Sequence, residues 1–96
     1  MSGEPIAVLL LTKVDCKFCD HAKSVLAKLA EEFTLAITEE DMESPHGLAL
    51  AREGRLLFAP GIVINGRPVS YGRPSLGGLR RELAQAAAPE GHQPLR

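Results

Sequence analysis

The apolar positions of this chain fall into segments whose spacing changes along its length. Ile6-Ala7-Val8-Leu9-Leu10-Leu11 is unbroken, of strand length, and bounded by Gly3-Glu4-Pro5 and Thr12-Lys13. Continuous apolarity without alternation predicts a buried, central strand of the parallel type. The pattern then shifts: Phe18, Ala22, Val25, Leu26, Leu29, Ala30 and Phe33 recur at helical steps, while Lys17, Asp20, Lys23, Lys28, Glu31 and Glu32 fill the other face. This predicts an amphipathic helix starting near residues 16–19. Thr34-Leu35-Ala36-Ile37-Thr38 alternates polar and apolar with β-branched residues and predicts a short edge strand flanking the first. The acidic stretch Glu39-Glu40-Asp41-Met42-Glu43 follows as a solvated loop.

Ser44-Pro45 has the form of a helix start, with Ser as N-cap and Pro in the first turn, and Gly54 is the expected stop. Phe58-Ala59-Pro60-Gly61 leads into Ile62-Val63-Ile64, the turn Asn65-Gly66, and Arg67-Pro68-Val69-Ser70-Tyr71. Asn-Gly between two strand-like runs predicts a β-hairpin, because both residues accept the positive φ that a tight hairpin turn requires. Ser75 caps a last helix carrying Leu76, Leu79 and Leu83, which Ala86-Ala87-Ala88-Pro89 brings to an end. The order is β-α-β-α-β-β-α without repeats or linkers, which predicts an α/β fold: a four-stranded mixed sheet with helices on both faces. One domain is expected over residues 1–88, with a flexible C-terminal tail over 89–96.

Composition narrows the function classes. With 96 residues, 45% of them hydrophobic, the chain supports one core, and with 4% aromatics and no Trp that core must be aliphatic. A formal charge of -1 creates no field that would draw the molecule to nucleic acid or to an anionic membrane. No run approaches the roughly 18 consecutive apolar residues of a membrane span, and the N-terminus lacks an export signal, so a cytoplasmic monomer is expected.

Chemistry concentrates at the two cysteines, Cys16 and Cys19. A loop this short staples almost no chain together, so the pair is chemical rather than structural. Placed where a strand gives way to a helix, Cys16 would face unpaired backbone N–H groups, which favour a negative sulfur. Lys13 and Lys17 add positive charge, and in such surroundings a thiol pKa falls from about 8.5 into the range of roughly 3.5 to 7.5. Asp15 opposes that trend. Cys19, a turn further on, is expected to be less exposed and to attack a mixed disulfide rather than the first substrate. A competing reading makes the pair part of a zinc site with His21 or His46, though His21 is expected to face solvent. Glu39, Glu40, Asp41 and Glu43 could hold a hard cation, but read better as a solvated acidic loop.

The segment Thr12-Lys13-Val14-Asp15-Cys16-Lys17-Phe18-Cys19-Asp20-His21-Ala22, following an apolar strand, resembles the active-site segment of glutaredoxins and glutaredoxin-like proteins of the thioredoxin fold. Phe58-Ala59-Pro60-Gly61-Ile62-Val63-Ile64-Asn65-Gly66-Arg67-Pro68 resembles the part of that family where a cis-proline precedes the third strand. The resemblance covers roughly Ile6 to Leu83 and implies a thioredoxin-like fold with Cys16 as nucleophile and Cys19 as resolving thiol. It implies no resident cofactor or metal; glutathione enters as a co-substrate. Lys13, Lys17, Phe18, Ala59, Pro60 and Arg73 are the implied substrate- or glutathione-binding residues, Ala59 through its backbone. Taken without the cysteines, Pro60 reads as an ordinary strand-initiating proline.

Departures from the family pattern bear on the electron donor. Where glutathione-binding members carry Gly-Gly and an acidic residue before the last helix, this chain reads Ser70-Tyr71-Gly72-Arg73-Pro74-Ser75. That stretch is closer to the glutaredoxin-like proteins served by thioredoxin reductase. The partners implied are a disulfide-bearing protein or glutathione, with either glutathione or thioredoxin reductase as electron donor. The alternative function is a metal or iron–sulfur cluster carrier using the same two thiols.

Overall fold

The computed structural model describes residues 4–87, so the expected tail over 89–96 and the outer edges of the expected domain lie outside it. The elements are β1 (Ile6–Thr12), α1 (Cys19–Leu29), β2 (Leu35–Asp41), α2 (Pro45–Gly54), β3 (Gly61–Ile64), β4 (Arg67–Tyr71) and α3 (Leu76–Ala86). The strands form one sheet in the order β2-β1-β3-β4. β1 runs parallel to β2 and antiparallel to β3, and β3 runs antiparallel to β4. This is the mixed α/β arrangement that the order of elements predicts, and it is a thioredoxin-like fold. Among the described residues, no helix is long and apolar enough to cross a membrane.

Strand alternation sends the apolar run of β1 to two separate cores. Ile6, Val8 and Leu10 pack with Ala22, Val25, Leu26 and Leu29 of α1 and with Leu79 and Leu83 of α3. Leu11 points the other way, into a smaller cluster with Met42, Ala51, Leu56 and Val63. The run is not uniformly buried, which corrects the expectation of a fully covered strand. Ala7 is exposed, because α2 covers the C-terminal end of β1 and leaves its beginning open. Asn65 serves that beginning instead: its side chain accepts from Ala7 N–H at 3.0 Å, and its own N–H donates to Ala7 C=O at 2.8 Å.

The acidic stretch is strand rather than loop. The parallel ladder continues through Leu10 with Glu39, Leu11 with Glu40 and Thr12 with Asp41. An edge strand can carry carboxylates because its outer side meets water, and these carboxylates also find partners. Lys23 of α1 lies 3.6 Å from Glu39, and Ser44 and His46 each bond Glu40 at 2.8 Å.

Both serine caps stand where the sequence places them: Ser44 Oγ accepts from Gly47 N–H and Ser75 Oγ from Gly78 N–H. The end of α2 departs from expectation. Gly54 remains inside the helix, and Arg55 adopts the left-handed conformation at φ 55°. Leu56 N–H then reaches Ala51 C=O at 2.8 Å and Arg55 N–H reaches Arg52 C=O at 3.3 Å, the paired closure of a Schellman motif. Glycine is needed at 54 for a different reason, since a Cβ there would collide with the Pro68 ring of β4. Asn65 and Gly66 take φ values of 49° and 81°, as the hairpin requires.

Candidate functional site

β1 delivers the chain to the cysteines. Thr12 closes the strand, its carbonyl accepting from Met42 N–H at 2.8 Å, and the chain then turns through Val14 and Asp15. Asp15 sits at φ 61°, a left-handed conformation that Asp tolerates better than bulky residues do. Cys16 follows, half-buried, while Cys19 is buried at 7% exposure. The two are joined in a disulfide whose Cα atoms lie 5.4 Å apart. Cys16 is therefore the more exposed of the two.

The start of α1 differs from the expected one. The first helical residue is Cys19, the N-cap is Phe18, and Cys16 lies in the turn before the helix rather than on it. Phe18 offers no side-chain hydrogen bond to the first turn. Its carbonyl accepts from Ala22 N–H at 2.9 Å, which starts the helical ladder but leaves the earlier N–H donors without a side-chain partner. The Lys17 ammonium lies 5.8 Å from the centre of the Phe18 ring, close enough for a weak cation–π attraction.

Two further segments converge on this loop. β3 pairs Gly61 with Leu11, so Pro60 stands level with Thr12, at the mouth of the cysteine loop. The Ala59–Pro60 bond is cis and Pro60 is buried. Among the described residues, no backbone group pairs with the N–H or C=O of Ala59. Pro60 C=O accepts from Gly72 N–H at 2.8 Å, which draws in the segment between β4 and α3. Gly72 is held at φ 77° with the Phe58 ring so near that a Cβ would sit 3.0 Å from it. Phe58 in turn meets Tyr71 edge to face at 5.1 Å between ring centres. Both rings are exposed, as is Val14 in the turn before Cys16.

His21 is not solvent-facing as the sequence reading expects. It is half-buried, and its Nε2 donates to Pro74 C=O at 3.1 Å, tying α1 to the approach of α3. Beside that bond lies a cleft of about 360 Å³ lined by His21, Ser24, Lys28, Arg73 and Ser75 together with apolar neighbours. His21, Ser24 and Lys28 follow each other at three- and four-residue steps, the spacing that puts residues on one helical stripe. That spacing was present in the sequence, but Lys28 reads there as part of the charged outer face.

Lys13 is engaged by a group that sequence reasoning did not connect to it: its Nζ lies 3.2 Å from Glu43 Oε2. The histidines do not join the cysteines as zinc ligands would, since His21 bonds Pro74 and His46 bonds Glu40. The four carboxylates of 39–43 are likewise dispersed, Glu39 toward Lys23, Glu40 toward Ser44 and His46, Asp41 toward Glu43 N–H and Glu43 toward Lys13. Hydrogen bonds from His46 and Ser44 hold the Glu40 carboxyl below its ordinary range, and the fork of Arg80 does the same for Glu32.

Comparisons with known proteins support the architecture. No family model matches the sequence, and no curated protein matches it. In three dimensions the chain is similar to a thioredoxin from Thermus thermophilus, with 21% identity and a TM-score of 0.56 over 85% of this chain and 73% of that one. It is also similar to a protein of unknown function from Staphylococcus aureus, at 19% identity and a TM-score of 0.59 over 85% and 91% of the two chains. A malarial protein superposes with a TM-score of 0.62 and 16% identity, covering 88% of this chain and all of its own, 100%. Similarity at this level of identity establishes a shared fold.

Proposed function

We propose that the chain is a thiol–disulfide oxidoreductase of the glutaredoxin-like kind. One observation carries the reading: a cysteine pair at C-x-x-C spacing closes a disulfide at the β1–α1 junction of a thioredoxin-like fold, with its first sulfur the more exposed. In the reduced form the Cys16 thiolate attacks one sulfur of a substrate disulfide. A Cys16–substrate disulfide forms and the other substrate sulfur leaves as a thiolate. Cys19 loses its proton and attacks Cys16 Sγ, which releases the second substrate thiolate and closes the Cys16–Cys19 bond. The substrate gains two electrons and the protein loses two. A dithiol or flavoprotein reductant, thioredoxin reductase by the resemblance, or else two glutathione molecules, returns them.

The surroundings suit each step. The uncapped N–H donors of α1 favour the negative charge that Cys16 carries after reduction. The free backbone of Ala59, beside cis-Pro60, provides a donor and an acceptor for an extended polypeptide. Lys17 and Phe18 stand between the two cysteines in the chain, Arg73 follows the Gly72 whose N–H bonds Pro60 C=O, and Lys13 shares its charge with Glu43.

Replacement of single thiols tests the reading. Cys16→Ser is expected to reduce turnover of a disulfide substrate to the uncatalysed rate, and Cys19→Ser to accumulate a covalent substrate adduct on Cys16 that mass spectrometry detects. Full turnover by Cys16→Ser would end the proposal. Turnover supported by glutathione with its reductase, set against turnover supported by thioredoxin reductase, identifies the donor. Metal analysis of chelator-free protein tests the carrier alternative, which stoichiometric metal or iron–sulfur cluster bound to the reduced pair would favour.

A further inference from the structure

Positive charges around the disulfide are unevenly committed. On the β2 side, Glu43 is set in place to hold Lys13. Its N–H donates to Asp41 Oδ1 at 2.8 Å, and the neighbouring Met42 N–H bonds Thr12, the residue before Lys13. Cation and carboxylate thus follow the ends of two strands hydrogen-bonded together, and Glu43 already offsets part of the Lys13 charge.

On the α3 side two cations have no ion-pair partner among the described residues. Among the described residues, ion pairs engage Lys13, Lys23, His46, Arg67 and Arg80, but neither Lys28 nor Arg73. Both are exposed, and both line the cleft of about 360 Å³ between α1 and the segment leading to α3. The backbone that presents Arg73 is fixed on either side. Gly72 N–H bonds Pro60 C=O, and Pro74 C=O accepts from His21. One wall of the cleft starts at His21 in the first turn of α1, the helix that Cys19 opens, and the other starts at Arg73, next to the Gly72 that bonds Pro60.

We propose that this cleft receives a carboxylate of the substrate, supplied by an acidic side chain close to the target cysteine of a polypeptide. The proposal rests on the oxidoreductase reading of Cys16 and Cys19 and adds a selectivity to it. Two cations on opposite walls of the cleft, unpaired among the described residues, attract a carboxylate with their full charge, whereas Lys13 shares its own with Glu43. On a molecule of net charge -1 they form a local positive site, which gives orientation and encounter rate more than raw affinity.

The test uses pre-reduced full-length chain, freed of reductant, in single turnover against mixed disulfides of synthetic peptides with mercaptoethanol. The peptides differ only in whether the residues flanking cysteine are acidic, neutral or basic. At low ionic strength the wild type is expected to reduce the acidic peptide about fivefold faster than the neutral one, from two exposed pairs of modest strength. Salt should shrink that ratio. Lys28→Glu combined with Arg73→Glu should reverse the preference toward the basic peptide, a change that a purely structural role would not produce. Equal rates on all three peptides would overturn the subsite while leaving the thiol chemistry intact, whereas no reduction of any peptide would overturn the oxidoreductase reading itself. A glutathionylated neutral peptide forms the last arm. If it alone reacts faster, and Arg73→Gln with Lys28→Gln removes that advantage, the carboxylate comes from glutathione and the polypeptide assignment fails.

Discussion

Helices α2 and α3 begin beneath a serine hydroxyl that accepts from the backbone of their first turn, whereas α1 begins at the disulfide with an aromatic N-cap whose side chain accepts nothing. At each capped end a hydroxyl satisfies one first-turn donor whatever the redox state. The third keeps its donors open. Since a serine or aspartate at such a position stabilises a helix by about 1 kcal/mol, Phe18 represents stability forgone next to the sulfur that carries the negative charge in the reduced form of the proposed cycle. A cap made of protein would compete for the N–H groups that a thiolate can use.

The contrast can be broken at both ends. The largest effect is expected on the open end: without the Cys16 sulfur no charge develops there, and Cys16→Ser should lose disulfide turnover entirely while thermal stability of the reduced protein changes little. On a closed end, Ser44→Ala removes both the cap and the hydroxyl bond to Glu40 and should cost about 1 to 2 kcal/mol, read as a drop in Tm of several degrees. Its alkylation rate at Cys16 should remain that of the wild type. A change in that rate would mean that α2 and the thiol are coupled and the two kinds of helix start are not independent.

A subtler manipulation closes the open end. Phe18→Asp places a carboxylate among the free donors of α1, and iodoacetamide alkylation of reduced Cys16 near neutrality should slow about fivefold. An unchanged pH–rate profile would show that these donors do not serve the thiolate. The smallest effect concerns acid. Glu40 and Glu32 are more acidic in the folded chain than the ordinary carboxyl value of 4.5, so each adds stability that is complete above that value and is lost as pH falls below it. Denaturant midpoints followed from pH 6 downward should decline less steeply in Glu40→Gln, which is already without the contribution.

Much of the fold was legible because local rules and tertiary packing agree. Asn65-Gly66 demanded a tight hairpin, Ser44-Pro45 and Ser75 announced helix starts, and the unbroken run from Ile6 to Leu11 marked the central strand. Reading failed where a residue's reason lay elsewhere in space. Glu39 to Asp41 carry strand backbone because β1 offers them a ladder, which their composition does not reveal. Gly54 is glycine to admit Pro68, so the left-handed position passes to Arg55. The cysteines themselves were unmistakable, but the helix start falls at the second rather than the first. The partners of His21 and Lys13, namely Pro74 and Glu43, lie 53 and 30 positions away in the chain, beyond any periodicity argument.

β1 is hydrogen-bonded on both sides, to β2 and to β3, and the cysteine loop is its direct continuation. Amide hydrogens of Val8 to Leu11 should therefore exchange only when the whole domain opens. Cleaving the sulfur–sulfur bond would then be absorbed within a few residues beyond Thr12, giving a chemically changeable tip mounted on the least yielding part of the molecule.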